Sequence, residues 1–209
     1  MFTDRKEAGQ ALASRLEHFK DQQGVVVGVP RGGIPIGYEI AQALGWPLEI
    51  ALSKKIGHPT NKEYAIGAVS LNGYVVNRDI AVPQEYLETE IARIRQALET
   101  TYHTYLQDQN PLPLSGKTVI LTDDGVATGH TLLSVIDLLR RTKPARLVVA
   151  VPVSAPEALK KIEAVADETL CLASPREFRS VGQFYQAFDQ VADQEVAALL
   201  HKRRNFRPR

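Results

Sequence analysis

Across 209 residues the sequence holds one cysteine, one methionine and one tryptophan. A single cysteine, Cys171, cannot close an internal disulfide, so the chain reads as one made for a reducing compartment. Its place in the apolar run Thr169 to Ala173 predicts a core filler, since free cysteine behaves as a small hydrophobe. Net charge is almost absent: 25 Lys and Arg against 24 Asp and Glu leave +1. Bulk attraction to nucleic acid or membrane is thereby excluded, and an anionic partner must be caught by a local arrangement of groups. Long hydrophobic runs are missing too. Leu147 to Val153 is interrupted by Pro152 and falls far short of the roughly 18 apolar residues a membrane span needs. Asp4, Arg5, Lys6 and Glu7 stand near the start with no apolar segment behind them, unlike a secretory signal, and a cytoplasmic protein is expected. No repeat, low-complexity tract or Gly/Ser/Pro-rich linker divides the chain, so one domain over 1–209 is expected. A P-loop nucleotidase is excluded on spacing.

What is present is an alternating pattern. Asp4 and Glu7 make a capping-box signature, and Ala8, Leu12, Leu16 and Phe19 follow at helical spacing until Gly24. Val25 to Pro30 reads as a buried strand, Arg31-Gly32-Gly33 as a turn, and Ile34 to Leu44 as a helix closed by Gly45. Leu48 to Ser53 reads as a second strand, and the polar stretch from Gly57 to Tyr64 as a mobile loop. Ala65 to Leu71 and Tyr74 to Val76 flank Asn72-Gly73, a hairpin signal because both positions can take positive φ. Pro83 opens a long helix whose Leu87, Ile91, Ile94, Leu98, Tyr102 and Tyr105 predict core packing. From Thr118 onward strands and helices alternate, up to a strand at Glu168 to Leu172. The expected fold class is therefore α/β, a parallel sheet flanked by helices, with a β-hairpin and loop beside it and ligands at the carboxyl ends of its strands. Ser174 to Leu200 reads as less regular, and residues 201–209 as a solvated basic tail holding Lys202, Arg203, Arg204, Arg207 and Arg209.

The chemistry concentrates in Val119 to Thr131, VILTDDGVATGHT. An apolar strand ends in two adjacent carboxylates, Asp123 and Asp124. Side chains at a strand end point in different directions, so the two acids can each accept a hydrogen bond from neighbouring sugar hydroxyls. Ala127, Thr128, Gly129, His130 and Thr131 then bring backbone N–H groups and two hydroxyls to a helix N-terminus, an arrangement suited to a monophosphate.

This segment resembles the PRPP-binding motif of type I phosphoribosyltransferases, where PRPP is 5-phosphoribosyl 1-pyrophosphate. Four apolar residues, an acidic pair, two further residues and a phosphate loop ending in Thr-Gly-x-Thr match over thirteen consecutive positions. Thr122 and Gly125 stand where apolar residues are commoner. Val29 to Gly33, VPRGG, is similar to the family's pyrophosphate loop, which has a non-proline cis peptide near its centre. Pro30, Arg31, Gly32 and Gly33 would bind diphosphate there, the glycines admitting close backbone approach and Arg31 adding a fork of donors.

The resemblance implies transfer of 5-phosphoribose from PRPP to a nitrogen nucleophile, a base or amine, with release of pyrophosphate. Arg31, Asp123, Asp124 and Lys55 are its candidate catalytic residues, and Asp123, Asp124, Val126, Ala127, Thr128, Gly129, His130 and Thr131 would hold the ribose 5-phosphate. Lys54 and Lys55 are added on the diphosphate, and His58, Lys62 and Tyr64 on a flexible loop that closes over the centre. Magnesium, Mg2+, would arrive through PRPP, with Asp123 and Asp124 in reach and no dedicated protein cage. Ala127 stands where enzymes acting on 6-oxopurines carry an aspartate, which disfavours such an acceptor. The resemblance covers a core at about 24–172, leaving about 1–23 and 173–200 as a hood over the nucleophile. It further implies a homodimer, with no membrane partner and none expected among nucleic acids. A PRPP-sensing regulatory protein without catalysis is the alternative.

Overall fold

The computed structural model describes residues 1–204. Asp4 caps helix α1 (Arg5–Arg15), accepting from the Glu7 N–H at 2.9 Å, while the Glu7 carboxylate turns back to the Thr3 N–H. Gly24 does not end this helix, which stops at Arg15; it opens strand β1 (Gly24–Gly28), buried throughout. Helix α2 (Gly33–Leu44) follows a four-residue loop and closes at Gly45, whose φ is 70°. Strand β2 (Leu48–Ile50) comes next.

The following segment departs from expectation. Residues read as the end of one strand and a mobile loop form β3 (Ser53–His58) and the start of β4 (Asn61–Ser70), joined at Pro59 and Thr60 and followed by β5 (Gly73–Val76) in an antiparallel ribbon. Polar residues dominate this stretch, yet the ribbon buries apolar side chains on both faces, Ile56 with Val69 on one and Ile66 with Ala68 on the other. The expected hairpin is present with a different turn. Ser70 pairs with Gly73, which leaves Leu71 and Asn72 as the connection, and neither Asn72 nor Gly73 has positive φ.

Helix α3 (Gln84–Leu106) buries Ile91, Ile94, Leu98, Tyr102 and Tyr105 as their spacing predicts. The rest alternates: β6 (Thr118–Thr122), α4 (His130–Arg141), β7 (Arg146–Val153), α5 (Pro156–Glu163), β8 (Glu168–Ala173), then α6 (Asp193–Arg204). Five strands form one parallel sheet in the order β2-β1-β6-β7-β8. Successive side chains serve opposite faces. Val26, Ile120 and Val148 pack with Leu12, Ile36, Ile40 and Ile94 in one core, and Val25, Val27, Val119, Leu121 and Val149 with Val135, Ile136 and Ile162 in the other. Because both faces are covered, the strands read as continuous apolar runs. Cys171 is only half-buried, since β8 is an edge strand.

The order of connection positions the site. From β1 the chain moves one way to β2, whereas β6, β7 and β8 extend the other way, so the direction reverses between the neighbours β1 and β6. At such a switch point the loops leaving two adjacent strands part and open a crevice. Gly28 pairs with Thr122, which brings the loops beginning at Val29 and Asp123 out side by side.

The end of the described chain corrects two more expectations. Part of the segment read as irregular is α6, and the first arginines of the supposed solvated tail are built into the fold. Arg203 donates to the carbonyls of Ala41 and Trp46 at 2.7 and 2.8 Å. Arg204 pairs with Glu49 at 2.8 Å with both side chains nearly inaccessible, 4% and 6% exposed. Glu49 also accepts from the Leu112 N–H and the Tyr102 hydroxyl, so this buried carboxylate is well satisfied. Arg207 and Arg209 lie outside the described residues.

Candidate functional site

The crevice is walled by backbone brought unusually close. Val29 N–H donates to Thr122 O and Gly33 N–H to Val29 O, both at 2.9 Å, folding the loop between β1 and α2 back against the end of β6. The Pro30–Arg31 peptide bond is cis, the feature implied for this loop. Gly32 faces Asp124 so closely that a Cβ there would lie 1.9 Å from Asp124 Oδ2. No side chain fits at position 32 without moving the carboxylate.

Asp123 and Asp124 sit at the end of β6. The Asp124 N–H donates to Asp123 Oδ1 at 2.8 Å. Burial first, and then the charge of Asp124, pushes the Asp123 carboxyl well above the usual carboxylate range. Burial raises Asp124 as well, opposed by the hydrogen bond and charge of Arg5. Asp124 is not idle, as an acid awaiting a ligand would be. Arg5 Nε and Nη2 both lie 2.9 Å from its Oδ2. The Tyr185 hydroxyl donates to its backbone carbonyl at 2.6 Å. Residues Phe2 and Thr3 pair with the backbone of Phe184, Gln186 and Ala187, so the segment before α1 and the segment around Tyr185 close over the acid pair together. Gly125 is explained by the same packing, because a Cβ there would meet Val181 at 2.5 Å. The buried Thr122 hydroxyl has no partner among the described residues, and nothing in the structure explains it.

On the other side of the acids the chain turns through Val126, Ala127 and Thr128 to Gly129, which has φ of 79° and precedes α4. The first-turn amides of α4 have no carbonyl one turn back to bond, so they remain available to an anion. Ala127, Thr128, His130 and Thr131 surround this turn, and all four are exposed. Ala127, Thr128 and His130 share a cleft of about 540 Å³ with Lys161, Arg176 and the start of α5.

Arg31 extends from the glycine loop toward Asp193, the first residue of α6, at 3.6 Å. Asp193 also accepts from the Tyr105 hydroxyl at 2.6 Å, and burial with this bond raises the phenol to about 12. The ribbon residues stand apart. Lys55 pairs with Glu63 at 2.7 Å, His58 with Thr60, and Lys62 with Tyr86 and Glu90 of α3. Lys54, Lys55 and Lys62 line a hollow with Gly57, Glu63, Glu90 and Arg93 that touches neither loop, and Tyr64 projects outward, 53% exposed. Among the described residues no three His, Cys, Asp or Glu are grouped to hold a metal ion, and no helix is long and apolar enough to cross a membrane.

Arg5, Tyr185 and Asp193 escaped the sequence reading. Arg5 lies 119 positions from its partner, and no local spacing signals such a contact. Tyr105 showed only as one member of a helical apolar stripe, which carries no hint of its hydroxyl's partner.

Comparison with known proteins converges on one family. The model of the phosphoribosyl transferase domain matches residues 4–186. Two curated proteins from the CDC 1551 / Oshkosh and H37Rv strains of Mycobacterium tuberculosis, each named "Putative phosphoribosyl transferase", are 34% identical over 207 residues, 97% of this chain. The match takes up 47% of those relatives, so the chain spans about half their length. The crystal structure of TT1426 from Thermus thermophilus superposes with a TM-score of 0.87 at 38% identity, covering 97% of this chain and 99% of that one. The matched span takes in the glycine loop, the acid pair, the turn before α4, and Arg5 and Tyr185, and this chain belongs to the phosphoribosyl transferase domain family.

Proposed function

We propose that the chain transfers 5-phosphoribose from PRPP to a nitrogen nucleophile and releases pyrophosphate. The observation that carries this reading is the contact of Gly32 with Asp124, which places a glycine loop with an arginine and an acid pair at one point, with a helix N-terminus just beyond. A sugar whose hydroxyls meet Asp123 and Asp124 could set its 5-phosphate on the Thr128 to Thr131 amides and its diphosphate on Pro30 to Gly33. In the reaction the bond from the anomeric carbon to the diphosphate oxygen breaks. A bond to nitrogen forms, and the nitrogen loses a proton. The anomeric carbon is electron-poor at the summit, so the protein's share is to hold the sugar, accept the departing charge at Arg31 and exclude water.

Magnesium is part of the proposal as a companion of the diphosphate. Asp123 and Asp124 would be in reach of an ion held mainly by phosphate oxygens and water. Ala127 puts a methyl group where an acid would serve a 6-oxopurine, and this supports a different base or an amine. Arg203 and Arg204 are occupied within the fold and so are not available to a nucleic acid, which weighs against a regulator that binds one. A homodimer is part of the proposal, and sedimentation velocity tests it.

Pyrophosphate release from PRPP and Mg2+, measured over a panel of bases and small amines, tests the reading. One acceptor supporting release is the expected result. PRPP binding with no release for any acceptor would favour the sensor, and no binding at all would remove the assignment.

A further inference from the structure

Arg5 is bound on every side. Its Nε and Nη2 meet the same oxygen of Asp124, its Nη1 donates to the Asp189 carbonyl at 2.8 Å, and its guanidinium lies 3.9 Å over the Phe188 ring. The Arg5 and Asp124 side chains are 13% and 15% exposed. An arginine held by a carbonyl and a ring as well as by its carboxylate is a fixture, since one that swings aside would give up all three contacts together. The fork takes Oδ2 alone and leaves Oδ1 outside it. The other groups around Asp124 do not supply this charge: Asp123 is a second anion, Tyr185 donates to the backbone carbonyl, and Gly32 offers only backbone. Two adjacent, largely buried carboxylates repel each other, and a cation on the far oxygen of one offsets that repulsion while fixing its orientation.

We propose that Arg5 is a positioning residue for the ribose half of the PRPP site, holding Asp124 by one oxygen so that the other faces the sugar hydroxyls. The proposal rests on the phosphoribosyl reading above and assigns a role in it to the N-terminal helix. It implies that Arg5 bears on the sugar half first, through Asp124, while the arginine of the diphosphate loop has a partner of its own in Asp193.

The two halves can be probed apart. Affinities of the full chain for ribose 5-phosphate, for pyrophosphate with Mg2+ and for PRPP with Mg2+ are measured by calorimetry, with thermal unfolding of each variant alongside. Arg5→Gln is expected to weaken ribose 5-phosphate by about tenfold and to leave pyrophosphate within about twofold, the loss of one charge-assisted contact acting at second hand. Arg5→Lys keeps the charge without the fork and should fall between, and it stands in if Arg5→Gln does not fold. In an Asp124→Asn background Arg5→Gln should add nothing, because the residue through which it acts has already been altered. Equal losses for both probes, as general loosening would give, or full additivity with Asp124→Asn, would overturn the proposal. If the wild-type chain binds PRPP and the Arg5 variants bind as well, the proposal alone is lost. If the wild-type chain does not bind PRPP, the phosphoribosyl reading is lost and the proposal goes with it.

Discussion

The loops at the ends of β1 and β6 and the antiparallel ribbon β3 to β5 both carry charges suited to phosphate, and they are built on opposite plans. In the loops each group is fixed by another: Gly32 abuts Asp124, Asp124 holds Arg5, and the Asp123 carboxylate takes the next residue's N–H. In the ribbon the charges stand in water, Lys55 and Glu63 having side chains 49% and 89% exposed and pairing within their own hairpin. A change in the loops is therefore passed on through contacts, whereas a change in the ribbon is absorbed by solvent. If that contrast governs PRPP binding, the sizes of mutational effects should fall in order from one region to the other.

The largest effect is expected at Gly32→Ala. The added methyl would lie 1.9 Å from Asp124 Oδ2, so either the loop or the carboxylate must move. Overpacking of this kind costs about 1 to 3 kcal/mol. With diphosphate loop and acid pair displaced together, PRPP affinity should fall more than about a hundredfold, beyond the roughly 2.7 kcal/mol that two factors of ten represent. A calorimetric titration within about threefold of wild type would show that the contact of the two loops is incidental to binding.

Next come the acids. Asp123→Asn and Asp124→Asn should each weaken PRPP by about ten- to a hundredfold, since a charge-assisted bond worth roughly 1.5 to 3 kcal/mol is weakened or lost. Their effects on stability should differ. Asp123 is a half-buried acid raised by desolvation, so replacing it with a neutral amide should leave thermal stability unchanged or higher. Asp124→Asn strands Arg5 in a largely buried setting and should lower stability by about 1 to 3 kcal/mol. Equal unfolding temperatures for the two variants would show that the Arg5 contact contributes little.

Much of this arrangement was legible because it is local. Alternating apolar runs gave the parallel sheet, and thirteen contiguous residues carried the acid pair and the turn before α4. The contacts that organise the acids were not legible, because Arg5, Tyr185 and Asp193 come from distant segments and each is an ordinary surface residue type in its own stretch. The ribbon failed for another reason. Polar and charged residues from Ser53 to Tyr64 mask the strands there, because Ile56 is the one buried apolar side chain in that stretch and no alternation can be read from it. The arginines of α6 misled because basic residues near a terminus usually remain solvated, while here Glu49 on β2 gives Arg204 a buried partner.

A smaller effect, of opposite sign, is expected at Asp193. Its pairing with Arg31 spans 3.6 Å between side chains 36% and 57% exposed. Such a pair contributes little to stability, about 0 to 1 kcal/mol. A diphosphate arriving at Arg31 meets this carboxylate as a like charge, so Asp193→Asn should tighten pyrophosphate by about two- to threefold, within the range of a screened single charge. The amide oxygen can still accept from Tyr105. Weaker binding would instead make Asp193 a support for Arg31.

The smallest effect should come from the ribbon. Lys55→Ala removes a lysine whose observed partner is Glu63, in an exposed pair that touches neither loop. Stability should shift by less than about 0.5 kcal/mol, as for surface substitutions generally. PRPP and pyrophosphate affinities should change by about threefold or less, because a charge acting across water is screened beyond about 10 Å at 0.1 M salt. Glu63→Ala sharpens the test by freeing the same ammonium: if the ribbon stays away from the ligand, this variant too should bind normally. A loss above about tenfold for Lys55→Ala, with a gain for Glu63→Ala and a steep dependence on salt, would mean that ligand draws the ribbon onto the diphosphate. The contrast between the two regions would then hold only for the unliganded molecule, and Lys55 would have the catalytic place that the family resemblance implies.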